Sequence, residues 1–582
     1  MANGGKNNNN KNSRSNSNPN QSPEAKRSRA SKTFYRFDPR VIAIILLIIA
    51  AFAAALYLNE QKQSESVSSL INGLDIDNGD LRINWSRYKT TDIKLSEPLT
   101  ITQSGTYHIT GYLYSGGITI DAGIGEVKLI LDNTIINNPT GPAIYCKNAE
   151  DLVIELIGNN NLSDGETFDG DYDEDVTGTI YSKGDLVFQG DGTLTINANY
   201  QDAIIGKDDL KFSSGTYTIS ANDDAIRGKD SVYILGGSFV LNAMSDAIKT
   251  TNEMDRGKGF ILIEDGEISI SSTEGEGLEA TKDIIINGGT LTINSLADAI
   301  HSNNYVGITG GATTITSEDD GIHADNKVSI DGGDIDIIKS YEGIEARVIT
   351  INGGDINIVS KDDGINAGGG VDGSSNSTTM RELSKTDANC IITINGGNIN
   401  VNSIGDGIDS NGSISFNGGT TIVDGPSDNG NGALDSGTDI TMSGGTVIAI
   451  GASGMANSLG SHSSVYNISV YLESIKPAGT KIAIQNSNGD SIITYTSKKQ
   501  FSHIAFGTEE LKLGDTYSIY IDDELYQSFT ISDTTTNIGR RNNYISVPRA
   551  DGQPINQAAP AQPEKSPTNY PINQRIEQSD EQ

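Results

Sequence analysis

The chain has 582 residues, 66 of them glycine, only 6% aromatic residues and a formal net charge of −35. Such a charge repels nucleic acid and other polyanions unless cations intervene, which excludes nucleic-acid binding and makes bound metal an expectation. The two cysteines, Cys146 and Cys390, stand too far apart for a zinc or redox motif and leave their pairing open.

The charge is uneven. Residues 1–40 carry nine Lys/Arg against Glu24 and Asp38, so this head is +7 and the remainder −42. Its low-complexity Asn/Ser/Lys composition predicts a disordered segment, and its basic cluster predicts a cytoplasmic one. Residues 41–58, Val41 to Leu58, are 18 uncharged and mostly apolar residues, long enough at ~1.5 Å per residue to cross a bilayer core. The expectation is a single-pass transmembrane helix at the cell membrane, with the N-terminus cytoplasmic and the bulk of the chain extracellular. A leader cleaved near Ala53–Ala55 is the alternative. Residues 59–84 read as a linker.

From residue 85 to 462 the sequence repeats. The pattern acid, small, Ile or Leu recurs as Asp202-Ala203-Ile204, Asp224-Ala225-Ile226, Asp246-Ala247-Ile248, Glu276-Gly277-Leu278, Asp298-Ala299-Ile300, Asp320-Gly321-Ile322, Glu342-Gly343-Ile344, Asp363-Gly364-Ile365 and Asp406-Gly407-Ile408. Most steps are 22 residues. An apolar residue before a Gly-Gly turn keeps the same phase, as in Ile286-Asn287-Gly288-Gly289 and Ile351-Asn352-Gly353-Gly354, and alternating runs such as Thr290-Leu291-Thr292-Ile293 follow. Alternation of period two marks strands. A unit of this length cannot bury its own apolar side, whereas stacked units place Ile on Ile. The fold class expected is therefore all-β: a parallel β-helix of about a dozen coils.

Residues 463–547 alternate like a small antiparallel β module, expected to cap or space the rod, and 548–582, rich in Pro, Gln and Asn, read as a disordered tail.

Acids that recur once per coil form a row with neighbours only ~5 Å apart. Carboxylates so close share protons or bind a cation, and Ca2+ suits them best. The doublets Asp223-Asp224, Asp319-Asp320 and Asp362-Asp363 are candidate metal ligands, as are Asp406, Asp409 and Asp435. The competing reading is that Asp and Asn fill β-helix corners because they hydrogen-bond backbone in turns. Three residues after each acid stand Glu279, His301, His323, Glu345, Asn366, Asp409 and Asp435, a position expected to face solvent. On that expectation His301 and His323 are an exposed pair rather than a transition-metal site. Residues 159–176, 249–257 and 368–389 lengthen the segments beside this corner, as loops on a binding edge do. Tyr200, Tyr305 and Tyr341, with Tyr145, are candidates to stack on sugar rings.

Several segments are similar to the clostridial carbohydrate-binding β-helix family. They are Gly141-Pro142-Ala143-Ile144-Tyr145, Asp362-Asp363-Gly364-Ile365-Asn366-Ala367, Gly405-Asp406-Gly407-Ile408-Asp409-Ser410-Asn411-Gly412, Gly430-Asn431-Gly432-Ala433-Leu434-Asp435 and Ala452-Ser453-Gly454-Met455-Ala456. The resemblance covers about residues 85–540 and implies a right-handed, pectate-lyase-like β-helix with bound calcium, attached to the cell surface and binding cellulosic or pectic polymers. It carries a ligand role onto Asp363, Asp406, Asp409 and Asp435, and less directly onto Asp320 and Asp362. The function expected is non-catalytic, calcium-dependent binding of an extracellular polysaccharide. Two alternatives stand beside it. One is a pectate-lyase-type enzyme with Lys249, Arg227 or Arg347 as the base; the other is a surface scaffold or adhesin rigidified by calcium.

Overall fold

The computed structural model describes residues 74–170, 172–368 and 386–541, all in the second of two units that divide between Glu65 and Ser66. The expected basic head, the apolar run 41–58 and the tail 548–582 lie outside the described residues. Among the described residues no helix is long and apolar enough to cross a membrane.

Three short strands make each turn, for example Ile226–Gly228, Ser231–Ile234 and Ser238–Ala243. Each pairs in parallel with its equivalents in the turns before and after. The result is three stacks: a corner stack that carries the acid-small-Ile pattern, a middle stack that follows it, and a third stack after the Gly-Gly turn. The middle stack runs through fifteen strands, from Thr90–Leu95 to Ile440–Met442. The described residues thus form a β-solenoid of fifteen turns rather than about twelve. The additional turns are upstream, where Gly105–Leu113 and Val127–Asn138 keep the pairing without the corner pattern that marks a turn in the sequence.

Because side chains alternate along a strand, the first residue of each corner strand points inward. Ile204, Ile226, Ile248, Leu278, Ile300, Ile322, Ile344, Ile365 and Ile408 are all fully buried and continue one core. Each contributes roughly 2 kcal/mol of apolar burial. The turn into the third stack needs glycine for two reasons. Gly311 has φ +84°, and a Cβ there would lie 2.7 Å from the carbonyl oxygen of Gly289, its equivalent in the preceding turn.

The C-terminal end of the stack is closed by a change of strand direction. Phe501–Thr508 pairs antiparallel with Thr446–Gly451 of the last turn and with Asn467–Lys476. A four-stranded antiparallel sheet of Ser491–Thr496, Lys481–Asn486, Thr516–Ile521 and Glu524–Thr530 follows. Ile448 and Ile450 share a core with Ile468, Phe506 and Ile519, so the module covers an edge that would otherwise template further strands.

The stretch expected as a linker does structural work from Leu74 onward. Leu74 and Ile76 cover the outward side chains Tyr233, Phe260, Leu262, Ile285 and Tyr305 of the middle stack. Asp80 forms an ion pair of 2.7 Å with Lys211, both inaccessible to solvent. Asp75 donates its N–H to the Gly257 carbonyl. A strap of chain therefore lies along the outside of the solenoid.

Candidate functional site

The residue after each buried Ile points outward, and strand register sets these residues in a ladder. Tyr145, Tyr181, Ile205, Arg227, Lys249, Glu279, His301, His323, Glu345, Asn366 and Asp409 follow one another turn by turn. Leu434 bridges to Ile408, which puts Asp435 at the end. The ladder thus begins aromatic, is cationic at Arg227 and Lys249, holds the imidazoles after Glu279 and ends in Glu345, Asn366, Asp409 and Asp435. The acid row, three residues earlier in each turn, runs beside it.

Acids of the row hold neighbouring turns together. Asp224 Oδ1 accepts the N–H of Asp246 at 3.1 Å, Asp246 Oδ1 that of Glu276 at 2.8 Å, Asp298 Oδ1 that of Asp320 at 2.9 Å and Asp320 Oδ1 that of Glu342 at 3.0 Å. Asp363 Oδ1 accepts from Asp406 N–H at 2.6 Å. The backbone-capping reading of these corners therefore holds, with the difference that the capped amide belongs to the next turn. One carboxylate oxygen is committed to the fold, and the other is left for chemistry with the ladder.

What meets that second oxygen changes along the row. Arg227 reaches Asp202 at 3.0 Å and Asp224 at 3.9 Å. Lys249 pairs with Asp246 at 2.7 Å and with Glu279; these acids hold its ammonium above the ordinary lysine range despite burial, which opposes the charged form. His301 Nδ1 lies 2.8 Å from Asp298 Oδ2. His323 Nδ1 lies 3.2 Å from Glu345 Oε2 and 3.4 Å from Asp320 Oδ2. The two imidazoles stack with centroids 4.9 Å apart and planes within 2°. The exposed-pair expectation is corrected here: His323 is fully buried because the acid row on one side and its own ladder neighbours enclose the ring.

Beyond Glu345 no such compensation is present among the described residues. Asp363, Asp406 and Asp409 bring one oxygen each within 4.8 Å of the others. Among the described residues no Lys, Arg or His forms an ion pair with any of the three. Burial, then neighbouring acids, push the Asp409 carboxyl up to about 6, and burial with Asp409 and Asp435 nearby pushes Asp406 up to about 7. Asp363 and Glu342 are raised well above the ordinary range for the same reasons. Asn366, between Glu345 and Asp409 in the ladder, donates to Glu342 Oε2 at 2.8 Å, while its buried Oδ1 accepts no hydrogen bond. Carboxylates that oppose one another's ionisation, with an unpartnered amide oxygen on the neighbouring rung, are a donor set suited to a hard divalent cation.

Of the residues singled out in the sequence, Asp363, Asp406 and Asp409 converge. Asp320 joins a different group, with Glu342 and Glu345 or with Asp298 and His323. Asp223, Asp319 and Asp362 stand one position before the row and are half-buried; Asp362 shares a hydrogen bond with the Tyr341 hydroxyl. Asp224 sits beside Arg227. Asp435 is tied to Asn457 at 3.0 Å. Arg347 lies outside the ladder and pairs with Asp387 at 3.4 Å.

Two tyrosine assignments are corrected. Tyr305 is buried beneath Leu74 and Ile76, and Tyr145 packs edge-on against Tyr172 and beside Tyr181, with Phe168 and Val176 of the 159–176 insertion in the same cluster. Tyr200, against Phe168, and Tyr341 remain partly accessible. Glu342, Glu345 and Asn366 were missing from the metal-ligand set, although their ladder spacing was visible in the sequence. Both cysteines are free and buried. Of the three expected insertions, most of the last, 369–385, lies outside the described residues.

Comparison with known proteins places this geometry. Residues 96–342 and 294–383 match the family model described as carbohydrate-binding domain-containing protein. A relative of that same description from Acetivibrio thermocellus is 37% identical over 126 residues, which is 21% of this chain and 44% of the relative; the chain thus spans less than half the length of that curated relative. A solved structure titled as the polysaccharide lyase-like protein from C. thermocellum, a gadolinium derivative, is 29% identical, with a TM-score of 0.31 over 42% of this chain and 93% of the other. Residues 96–383, which hold most of the solenoid and its acidic corner, thus match the carbohydrate-binding domain-containing family.

Proposed function

We infer that the protein is a non-catalytic binder of extracellular acidic polysaccharide, dependent on calcium held at the C-terminal part of the acidic corner. The observation that carries this reading is the group Asp363, Asp406 and Asp409, which has no ion-pair partner among the described residues, with Asn366, the register partner of Asp409, carrying an unpartnered Oδ1. These four residues would hold the ion, all of them oxygen donors of the kind calcium takes. Bound there, calcium supplies positive charge on a surface that otherwise repels polyanions. Of the tyrosines expected to stack on sugar rings, Tyr341 and Tyr200 stay partly exposed. The family match over residues 96–383 supports a carbohydrate as the partner.

The uncharged run 41–58 would tether the solenoid to the outer face of a cell membrane, in keeping with an extracellular glycan.

The lyase alternative is disfavoured by one arrangement: Lys249, its best candidate base, is saturated by Asp246 and Glu279 and held charged. The test is retention of the full chain on immobilised polygalacturonate with Ca2+ or with chelator, read alongside absorbance of unsaturated uronide. Retention lost with chelator and no absorbance supports the binder. Retention unaffected by chelator overturns calcium dependence, and absorbance overturns the non-catalytic reading.

A further inference from the structure

The imidazole zone of the ladder holds a different set of donors from the all-oxygen group. His323 is fully buried, and three carboxylates around it, Asp298, Asp320 and Glu345, are less than one-tenth exposed. Its Nδ1 faces two carboxylate oxygens at once, Glu345 Oε2 at 3.2 Å and Asp320 Oδ2 at 3.4 Å. A single ring N–H can serve one of them, so hydrogen bonding leaves the other uncompensated. The far nitrogen, Nε2, is buried without a hydrogen bond, its nearest acid being Asp325 at 3.5 Å. Burial opposes a charged ring, yet Asp320, Asp325 and Glu345 hold it well above the ordinary imidazole range, so an ion bound at Nδ1 would displace a proton.

The spacing fits a smaller occupant than calcium. Two ligands bound at ~2.0–2.1 Å to a tetrahedral ion lie roughly 3.3–3.4 Å apart, close to the separations of His323 Nδ1 from its two oxygens. Mixed imidazole and carboxylate donors suit first-row transition ions, whereas calcium takes oxygen only. The neighbouring residues already orient these ligands. Asp320 Oδ1 is fixed on the Glu342 N–H, which leaves Oδ2 toward the ring, and Asp298 is held by His301 Nδ1 at 2.8 Å and by the Asp320 N–H at 2.9 Å.

We propose that His323 Nδ1, Asp320 Oδ2 and Glu345 Oε2 form a binding site for a divalent first-row transition ion, Zn2+ fitting best, separate from the calcium group two turns further on. His301 and Asp298 position this site without ligating.

Co2+ serves as the probe because its d–d absorption reports an imidazole-containing, low-coordinate site. The full chain, stripped of metal, is titrated with CoCl2 under saturating CaCl2. The expected result is one equivalent of Co2+ with visible absorption, displaced by Zn2+ and not by Ca2+. His323→Gln weakens binding about a hundredfold. Glu345→Gln, which keeps the side-chain shape, weakens it as well, and His301→Gln changes it by less than about threefold. The melting shift caused by Ca2+ persists in His323→Gln, which separates this site from the calcium reading. Absence of Co2+ binding to the wild-type chain, or an unchanged affinity in both His323→Gln and Glu345→Gln, overturns the proposal.

Discussion

Asp363 and Asp406 are forty-three residues apart in the chain, yet Asp363 Oδ1 accepts the backbone N–H of Asp406 at 2.6 Å. The same side chain joins Asp406 and Asp409 in the uncompensated group. One carboxylate thus has a folding role through one oxygen and a cation role through its charge, and substitutions can separate the two.

Asp363→Asn keeps an oxygen for the Asp406 amide and removes the charge. Without calcium its stability should match or exceed wild type, because a buried like-charge contact is relieved; the stabilisation gained on adding Ca2+ should shrink. Asp363→Ala loses the acceptor too and should cost about 1–3 kcal/mol in the metal-free protein. Thermal melting with and without Ca2+ distinguishes the three.

The pH dependence follows from Asp406, pushed up to about 7, and Asp409, pushed up to about 6. Raised carboxyl values mean that the folded state binds protons more tightly than the unfolded one. Chelated protein is therefore most stable below about pH 4 as far as these groups are concerned, and loses stability as pH rises through 6 to 7. The loss is on the order of 3–4 kcal/mol for each group. Denaturant midpoints between pH 4.5 and 8 should fall in chelator and stay flatter in Ca2+; a midpoint that rises with pH in chelator would refute the assignment.

Lys249→Met should destabilise by about 3 kcal/mol, since Asp246 and Glu279 lose their shared cation in a largely buried setting. Retention on polygalacturonate should survive in the folded fraction. Urea unfolding gives the first quantity and the retention assay the second.

The strap is held by Asp80 and Lys211. Asp80→Ala leaves Lys211 buried with Asp209 at 3.5 Å as its remaining partner, and should free the segment from Leu74 while the solenoid stays folded. Limited proteolysis should then cut between 74 and 88 well before any loss of β-sheet circular dichroism. Uncovering Tyr233 and Tyr305 should also raise binding of an apolar dye.

A Cβ on Gly311 would press on the Gly289 carbonyl, and φ there is +84°. Gly311→Ala should cost roughly 2 kcal/mol or more, visible as a lower melting temperature with unchanged Ca2+ response.

The repeat itself fixed the stacking. A period of about 22 residues with Ile after a small residue says which side chains share a layer, and a buried Ile column together with an acid row follows from layer identity alone. Only the tertiary structure decided what each row meets. The turns before residue 140 keep strand pairing without the corner pattern, so they are countable only in three dimensions. Outward positions such as Tyr305 and Lys211 look exposed from alternation, and are buried by a strap whose contact with them spans more than a hundred residues of sequence. The sorting of the acids into neutralised, imidazole-bound and uncompensated zones depends on side-chain reach between rungs. Arg227 and Lys249 bridge two turns, Asp caps the next amide where Glu does not, and His323 sits between two carboxylates at ångström separations that no linear spacing encodes.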